Sequence, residues 1–215
     1  MHLYYYISHV KEIHGVRWFS FYAALNAVHQ CWDAICMSME EVAAKDPTAK
    51  GILKRITTVQ FLGVTAMLMD IIPTMTSINL LFQRRDLDLS IIYPTLDAAV
   101  GNLKKLETEQ GNFLSQFMVE IGDKCRNYKG VQITDTLQLR ASVTKNRVEF
   151  CKSLQKQLER RFPDTSVDLI KAFSILGMKG LKMIHSEEQD TWGNDKINLL
   201  IEHYGHGRAD LPAYI

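Results

Sequence analysis

From Phe61 to Phe82 runs a stretch of 22 mostly apolar residues in which Asp70 is the one charged side chain. Such a run has two physical homes, the bilayer and the centre of a helix bundle, since ~20 apolar residues in helical form cross the hydrocarbon layer. Asp70 separates them, because a carboxylate at mid-bilayer costs at least ~2.5 kcal/mol. Thr65, Thr74, Thr76, Ser77 and Asn79 add further polar groups along the run. Lys54-Arg55 on one flank and Arg84-Arg85 on the other give no inside–outside bias. The run is therefore read as the buried central helix of a bundle in water, with no membrane partner. Pro73 removes a helical hydrogen bond, so a kink or break is expected near Asp70 to Pro73.

Helical spacing continues on both sides of this run. Ser20 is expected to cap a helix whose buried face is Phe21, Ala24, Leu25, Val28, Trp32, Ile35, Met39 and Val42. Thr48 is expected to cap the next segment, which carries on to Phe82 apart from the interruption at Pro73. Asp88 or Ser90 caps a third helix with Pro94 in its first turn and Ile92, Leu96, Ala99, Leu103 and Leu106 as its buried face. Further helices are expected over Phe113 to Tyr128, Ser142 to Arg161, Val167 to Leu176 and Asp195 to Tyr204, the last capped by Asn194 and stopped by Gly205. Residues 129–136 read as a linker or short strand. With 12 Gly and 5 Pro in 215 residues, turns are too sparse for a sandwich or barrel.

Composition excludes little else of function. A net charge of +1 and 47% apolar residues exclude disordered and supercharged classes. Four cysteines without disulfide-framework spacing fit a reduced, intracellular protein. Cys31-x4-Cys36 puts two thiols on different helix faces, and His203-x2-His206 lacks a second pair, so no metal site and no cofactor are expected. Gly-rich phosphate loops, Gly-x-Ser-x-Gly and His-Glu-x-x-His do not occur. No set of acids has the spacing for two-metal phosphoryl transfer. Asp70 is the acid most expected to be buried, either as a functional group or as a partner for backbone loosened by Pro73.

The even charge balance conceals a local excess. Residues 124–161 hold ten basic side chains against three acidic ones, a surplus of seven. At 100° per residue, Lys145, Lys152, Lys156 and Arg160 fall within about 80° of one another on a helix. Phe150, Cys151, Leu154, Leu158 and Phe162 take the opposite side. A cationic stripe backed by an apolar one suits nucleic-acid phosphates, and it equally describes a solvated face.

Gly15-Val16-Arg17-Trp18-Phe19-Ser20 resembles the Thr-Arg-Trp-x-Ser signature that opens the helical insertion of hAT-superfamily transposases and of host proteins derived from them, with Val16 in place of the usual Thr. Four further stretches are similar to transposase-derived zinc-finger proteins of animals. They are Ala49 to Ile56, Asp70-Ile71-Ile72-Pro73 with Leu80-Leu81-Phe82-Gln83, Leu87 to Pro94, and Arg161-Phe162-Pro163-Asp164 with Ala172 to Leu176.

The resemblance implies an all-α, irregular multi-helix bundle, the domain inserted into a ribonuclease-H-like core, with at most a short N-terminal strand. Residues 1–16 would be a remnant of that core, 17–205 the helical insertion, and 206–215 a truncated connection. The acidic catalytic triad of the family would lie outside this chain, so the expectation is a non-enzymatic, nuclear, DNA-related fragment. A protein-interaction scaffold without DNA binding is the alternative. Protein partners or homo-oligomerisation would act through segments outside the chain. Trp18 matches the family tryptophan that stacks on a base turned out of DNA, with Arg17 beside it for phosphate. A core anchor at the helix start is the competing role for Trp18. The expected DNA-contacting set is Arg17, Trp18, Lys145, Lys152, Lys156 and Arg160.

Overall fold

The structure is a computed structural model and describes residues 18–177 and 193–205. Over these residues the protein is mostly helical, as the periodicity predicts. The α-helices are α1 (Trp18–Ala43), α2 (Pro47–Ile56), α3 (Val59–Phe82), α4 (Ile92–Thr108), α5 (Asn112–Ile121), α6 (Leu137–Arg161), α7 (Asp164–Ala172) and α8 (Asn194–Tyr204). A two-stranded hairpin, β1 (Asn127–Tyr128) with β2 (Val131–Gln132), lies between α5 and α6. Its turn residues Lys129 and Gly130 both have positive φ, at 49° and 84°, the twist that a two-residue hairpin turn requires.

The apolar run forms the central helix. α3 packs against α1, α4, α5 and α6, and Met69, Ile71 and Ile72 are no more than 1% exposed. It is long and apolar enough to cross a membrane, and 67% of its most apolar window is buried within the fold. Of its buried threonines, Thr65 and Thr76 donate their hydroxyls to the carbonyls of Phe61 and Ile72 one turn earlier, while Thr74 accepts the Asn102 amide of α4 at 2.6 Å.

The expected interruption at Pro73 does not occur. α3 continues through Pro73, which is exposed, and the chain breaks instead at Thr57-Thr58. Three interactions account for this. The Thr58 hydroxyl accepts the Phe61 N–H at 3.1 Å, capping α3. Val59 N–H donates to the Thr134 carbonyl at 3.0 Å, and Thr134 N–H donates to Thr57 at 2.9 Å. A short β-like bridge between distant segments thus replaces helical bonding at that point.

Other boundaries shift for local reasons. Asp46, rather than Thr48, caps α2 by accepting the Thr48 N–H at 2.8 Å, with Pro47 at the first helical position. Ser20 lies inside α1, not at its cap. Asp88 accepts the Ser90 N–H at the start of a short 3-10 turn, Leu89–Ile91, that feeds α4. The helix expected to reach Tyr128 stops at Ile121, where Gly122 takes φ 54°. α6 begins five residues before Ser142, capped by Thr136, whose hydroxyl accepts the Leu139 N–H. α8 includes Asn194 and is preceded by Gly193 at φ 80°. The expected segments 1–16 and 206–215 lie outside the described residues.

The predicted face of α4 is fully realised: Ile92, Leu96, Ala99, Leu103 and Leu106 are all buried. That of α1 is realised only in part. Trp32 is buried and donates from Nε1 to the Ile56 carbonyl at 2.9 Å, and Cys36 is also buried. Phe21, Ala24, Leu25 and Val28 are half-buried, and Val42 is 51% exposed. Spacing identifies which residues share a face; whether a neighbour covers that face along its whole length is a tertiary matter.

Candidate nucleic-acid interface

α3 and α6 run parallel. They meet at their starts through the Thr58–Thr134 bridge, in their first halves where Gly63 abuts Val143, and at their ends where the Phe82 and Phe162 rings stack 5.7 Å apart. The C-terminal ends of both helices therefore lie side by side. Arg84 and Arg85 follow α3, while Lys156, Arg160 and Arg161 occupy the last turns of α6, and all five are exposed. Cations at a helix C-terminus are favoured by the helix dipole, which offsets part of the repulsion that Arg160 and Arg161 exert on each other and on their basic neighbours.

The rest of the basic stretch is largely engaged within the protein. Arg140 forms a forked pair with Asp135, with Nε–Oδ1 at 2.8 Å and Nη2–Oδ2 at 2.6 Å. Lys129 sits 5.5 Å from the centre of the Tyr128 ring. Lys145 lies 3.8 Å from Glu149 one turn on. Lys152 lies 3.7 Å from Glu107 of α4, which also accepts the Gln155 amide at 2.8 Å. Among the described residues, no carboxylate comes within 4.0 Å of Lys156, Arg160 or Arg161. The stripe of four is thus divided: Lys145 and Lys152 face acids, and Lys156 with Arg160 joins the basic end. Arg17 and the side chain of Trp18 lie outside the described residues; the backbone of Trp18 opens α1.

Arg147 is the residue that counting charges misreads. It is 6% exposed and donates to the carbonyls of Leu106 and Glu109, tying off the C-terminal end of α4. Its position carries the signal: two residues after Lys145 it stands about 200° around the helix, in the middle of the apolar sector. A cation placed there is a structural group paired with backbone carbonyls, not a phosphate contact.

Asp70 is likewise structural. Its two carboxylate oxygens accept the Phe113 and Leu114 N–H groups at 2.9 and 3.0 Å, so an α3 side chain caps α5. Gly111 is required there, since a Cβ at that position would sit 2.2 Å from the Asp70 carboxyl carbon. The backbone Asp70 serves is that of a distant helix, not the turn around Pro73.

Elsewhere the titratable groups are tuned by packing. Burial pushes the Cys36 and Cys151 thiols up to about 11, so neither is an activated nucleophile. His29, edge-on to Phe113, is held below its ordinary value by burial first and then by Lys129. Glu120 is lowered by hydrogen bonds from Gln116 and the Tyr128 hydroxyl. Among the described residues, no three His, Cys, Asp or Glu side chains gather as a metal site; His206, of the expected histidine pair, lies outside them. No family model matches the chain, and no solved structure is significantly similar to it.

Proposed function

We propose that this chain is the helical module of a transposase-derived protein of the hAT type, without catalytic activity of its own, and that it contacts DNA phosphates through its basic end. The observation that carries the reading is the meeting of the ends of α3 and α6 at the Phe82–Phe162 stack, which brings exposed Arg160 and Arg161 to the segment bearing exposed Arg84 and Arg85. Exposed Lys156 lies one turn back on α6, and Asp86 and Glu159 are the acids immediately adjacent in sequence. Phosphate binding by such a cluster is driven by counterion release and is indifferent to base sequence. The resemblance at Val16-Arg17-Trp18-Phe19-Ser20 supports the DNA assignment and the view of the chain as an insertion in a ribonuclease-H-like core. A nuclear location follows from the same reading.

Titration against hairpin and duplex DNA tests it. Reversing Lys156 and Arg160 to Glu should weaken binding to every sequence, whereas reversing Lys145 and Lys152, already beside acids, should weaken it less. Trp18→Ala should cost ~1–3 kcal/mol of the preference for a hairpin with an unpaired base if the indole stacks. Incubation with magnesium or manganese should leave the DNA uncut.

A scaffold reading is favoured by one specific feature. Phe21, Leu25 and Val28 of α1 face Phe61, Val64 and Leu68 of α3 across an apolar groove of about 1000 Å3. Absence of any DNA binding by the wild-type chain would leave that reading in front.

A further inference from the structure

A second groove, of about 570 Å3, opens between the ends of α3 and α6. Met75, Ile78, Phe82, Leu158 and Phe162 supply apolar walls, and Asn79, Gln157, Arg160 and Arg161 the polar rim. Its size lies within the ~300–1,000 Å3 range of ligand-binding clefts. Phe82, which closes α3, is 42% exposed although its ring is stacked on Phe162. Among the described residues no acidic side chain lines the groove; Glu159 turns instead to a separate cleft with Tyr93 and Asp97.

We infer that this groove is a docking site for an acidic protein segment that anchors large aliphatic or aromatic side chains on the Met75–Ile78–Phe82 wall and sets carboxylates against Arg160 and Arg161. Two features select that occupant. The walls combine two phenylalanines, two aliphatic side chains and one methionine, a surface on which apolar and aromatic anchors of a peptide can pack. Among the described residues the rim is cationic and amide, so its charge complements carboxylates, which guanidinium groups bind in a forked geometry. Nothing in this inference depends on the DNA reading, although Arg160 and Arg161 border both surfaces.

The test is fluorescence anisotropy of the full chain with a labelled peptide of about 12 residues, carrying Leu and Phe at helical i, i+3, i+4 and i+7 spacing and Glu elsewhere. A second peptide replaces every Glu by Lys. The acidic peptide should bind saturably and the basic one should not. Arg160→Glu with Arg161→Glu should weaken the acidic peptide by about tenfold or more and admit the basic one, a reversal that misfolding would not produce. Phe82→Ala should weaken the acidic peptide and leave duplex DNA binding intact, while Lys156→Glu should do the opposite, so failure here and failure of the DNA reading are distinguishable. Equal binding of both peptides, or acidic-peptide binding unaffected by the arginine reversals, would overturn the proposal. So would an oligothymidine strand that binds in a Phe82-dependent way where the acidic peptide does not, which would make the groove a base-stacking site.

Discussion

At Asp70 one carboxylate satisfies two N–H groups at the start of α5, so Asp70→Ala should lower stability by about 1–2 kcal/mol in urea unfolding, the size of a lost helix cap. Arg147→Leu should cost about 1–3 kcal/mol, because it strips the buried carbonyl of Leu106 and the part-buried carbonyl of Glu109 of their donor. Neither change should reduce DNA binding beyond its effect on folding. Acid sensitivity follows from Asp135, held below its ordinary value of 3.8 by Arg140 and the Cys125 N–H. A lowered carboxylate contributes stability that is complete above the ordinary value and lost as pH falls through the folded one. His29, lowered from 6.5, adds an earlier loss with the same sign as pH falls below that value. Melting temperature measured across the acid range should therefore fall in two stages. His29→Gln should remove the first and Asp135→Asn much of the second. The roles of Asp70 and Arg147 were only half legible in the sequence. Its place in an apolar run predicts a buried Asp70, whereas the residue is only half-buried because it reaches out to cap α5, with a partner 43 residues away. Arg147 was legible by helical angle and hidden by a count of charges.

Among the elements, α4 was readable almost to the residue, because a single apolar stripe met a single wall formed by α3 and α6. α3 was readable as the core and misread at its ends. Proline predicts a break from local chemistry alone, whereas Pro73 faces solvent in a helix held by neighbours on its other sides, and the bridge to Thr134 that sets the true break is invisible locally. Replacing Pro73 by Ala should accordingly raise stability, by up to about 3 kcal/mol, since it restores a hydrogen bond in a helix already continuous. The parallel approach of α3 and α6 depends on Gly63, where a Cβ would meet the Val143 side chain at 2.8 Å. Gly63→Val should cost about 1–3 kcal/mol by overpacking, and Val143→Ala in the same chain should recover part of that loss.

For the whole molecule, helical class was legible from spacing and the scarcity of turn residues, while the charge distribution was not. Residues 124–161 carry seven surplus charges, and Lys145, Lys152, Lys156 and Arg160 are expected to form one cationic stripe on the helix there. Folding divides the ten basic residues among the buried Arg147, the Asp135-paired Arg140, Lys124, Arg126 and Lys129 at the hairpin, the acid-facing Lys145 and Lys152, and the end of α6. That end, with Lys156, Arg160 and Arg161, lies beside the segment bearing Arg84 and Arg85. The DNA reading rests on this convergence, and the salt dependence of binding addresses it most directly. Each phosphate neutralised contributes ~0.9 to the slope of log affinity against log salt concentration. The wild-type chain should bind duplex DNA with a slope of several, and the Lys156→Glu, Arg160→Glu variant should lose about two from it. A Lys145→Glu, Lys152→Glu variant should lose less than that. Equal slopes for the wild type and the Lys156–Arg160 variant, or a wild-type affinity that does not respond to salt, would contradict the account.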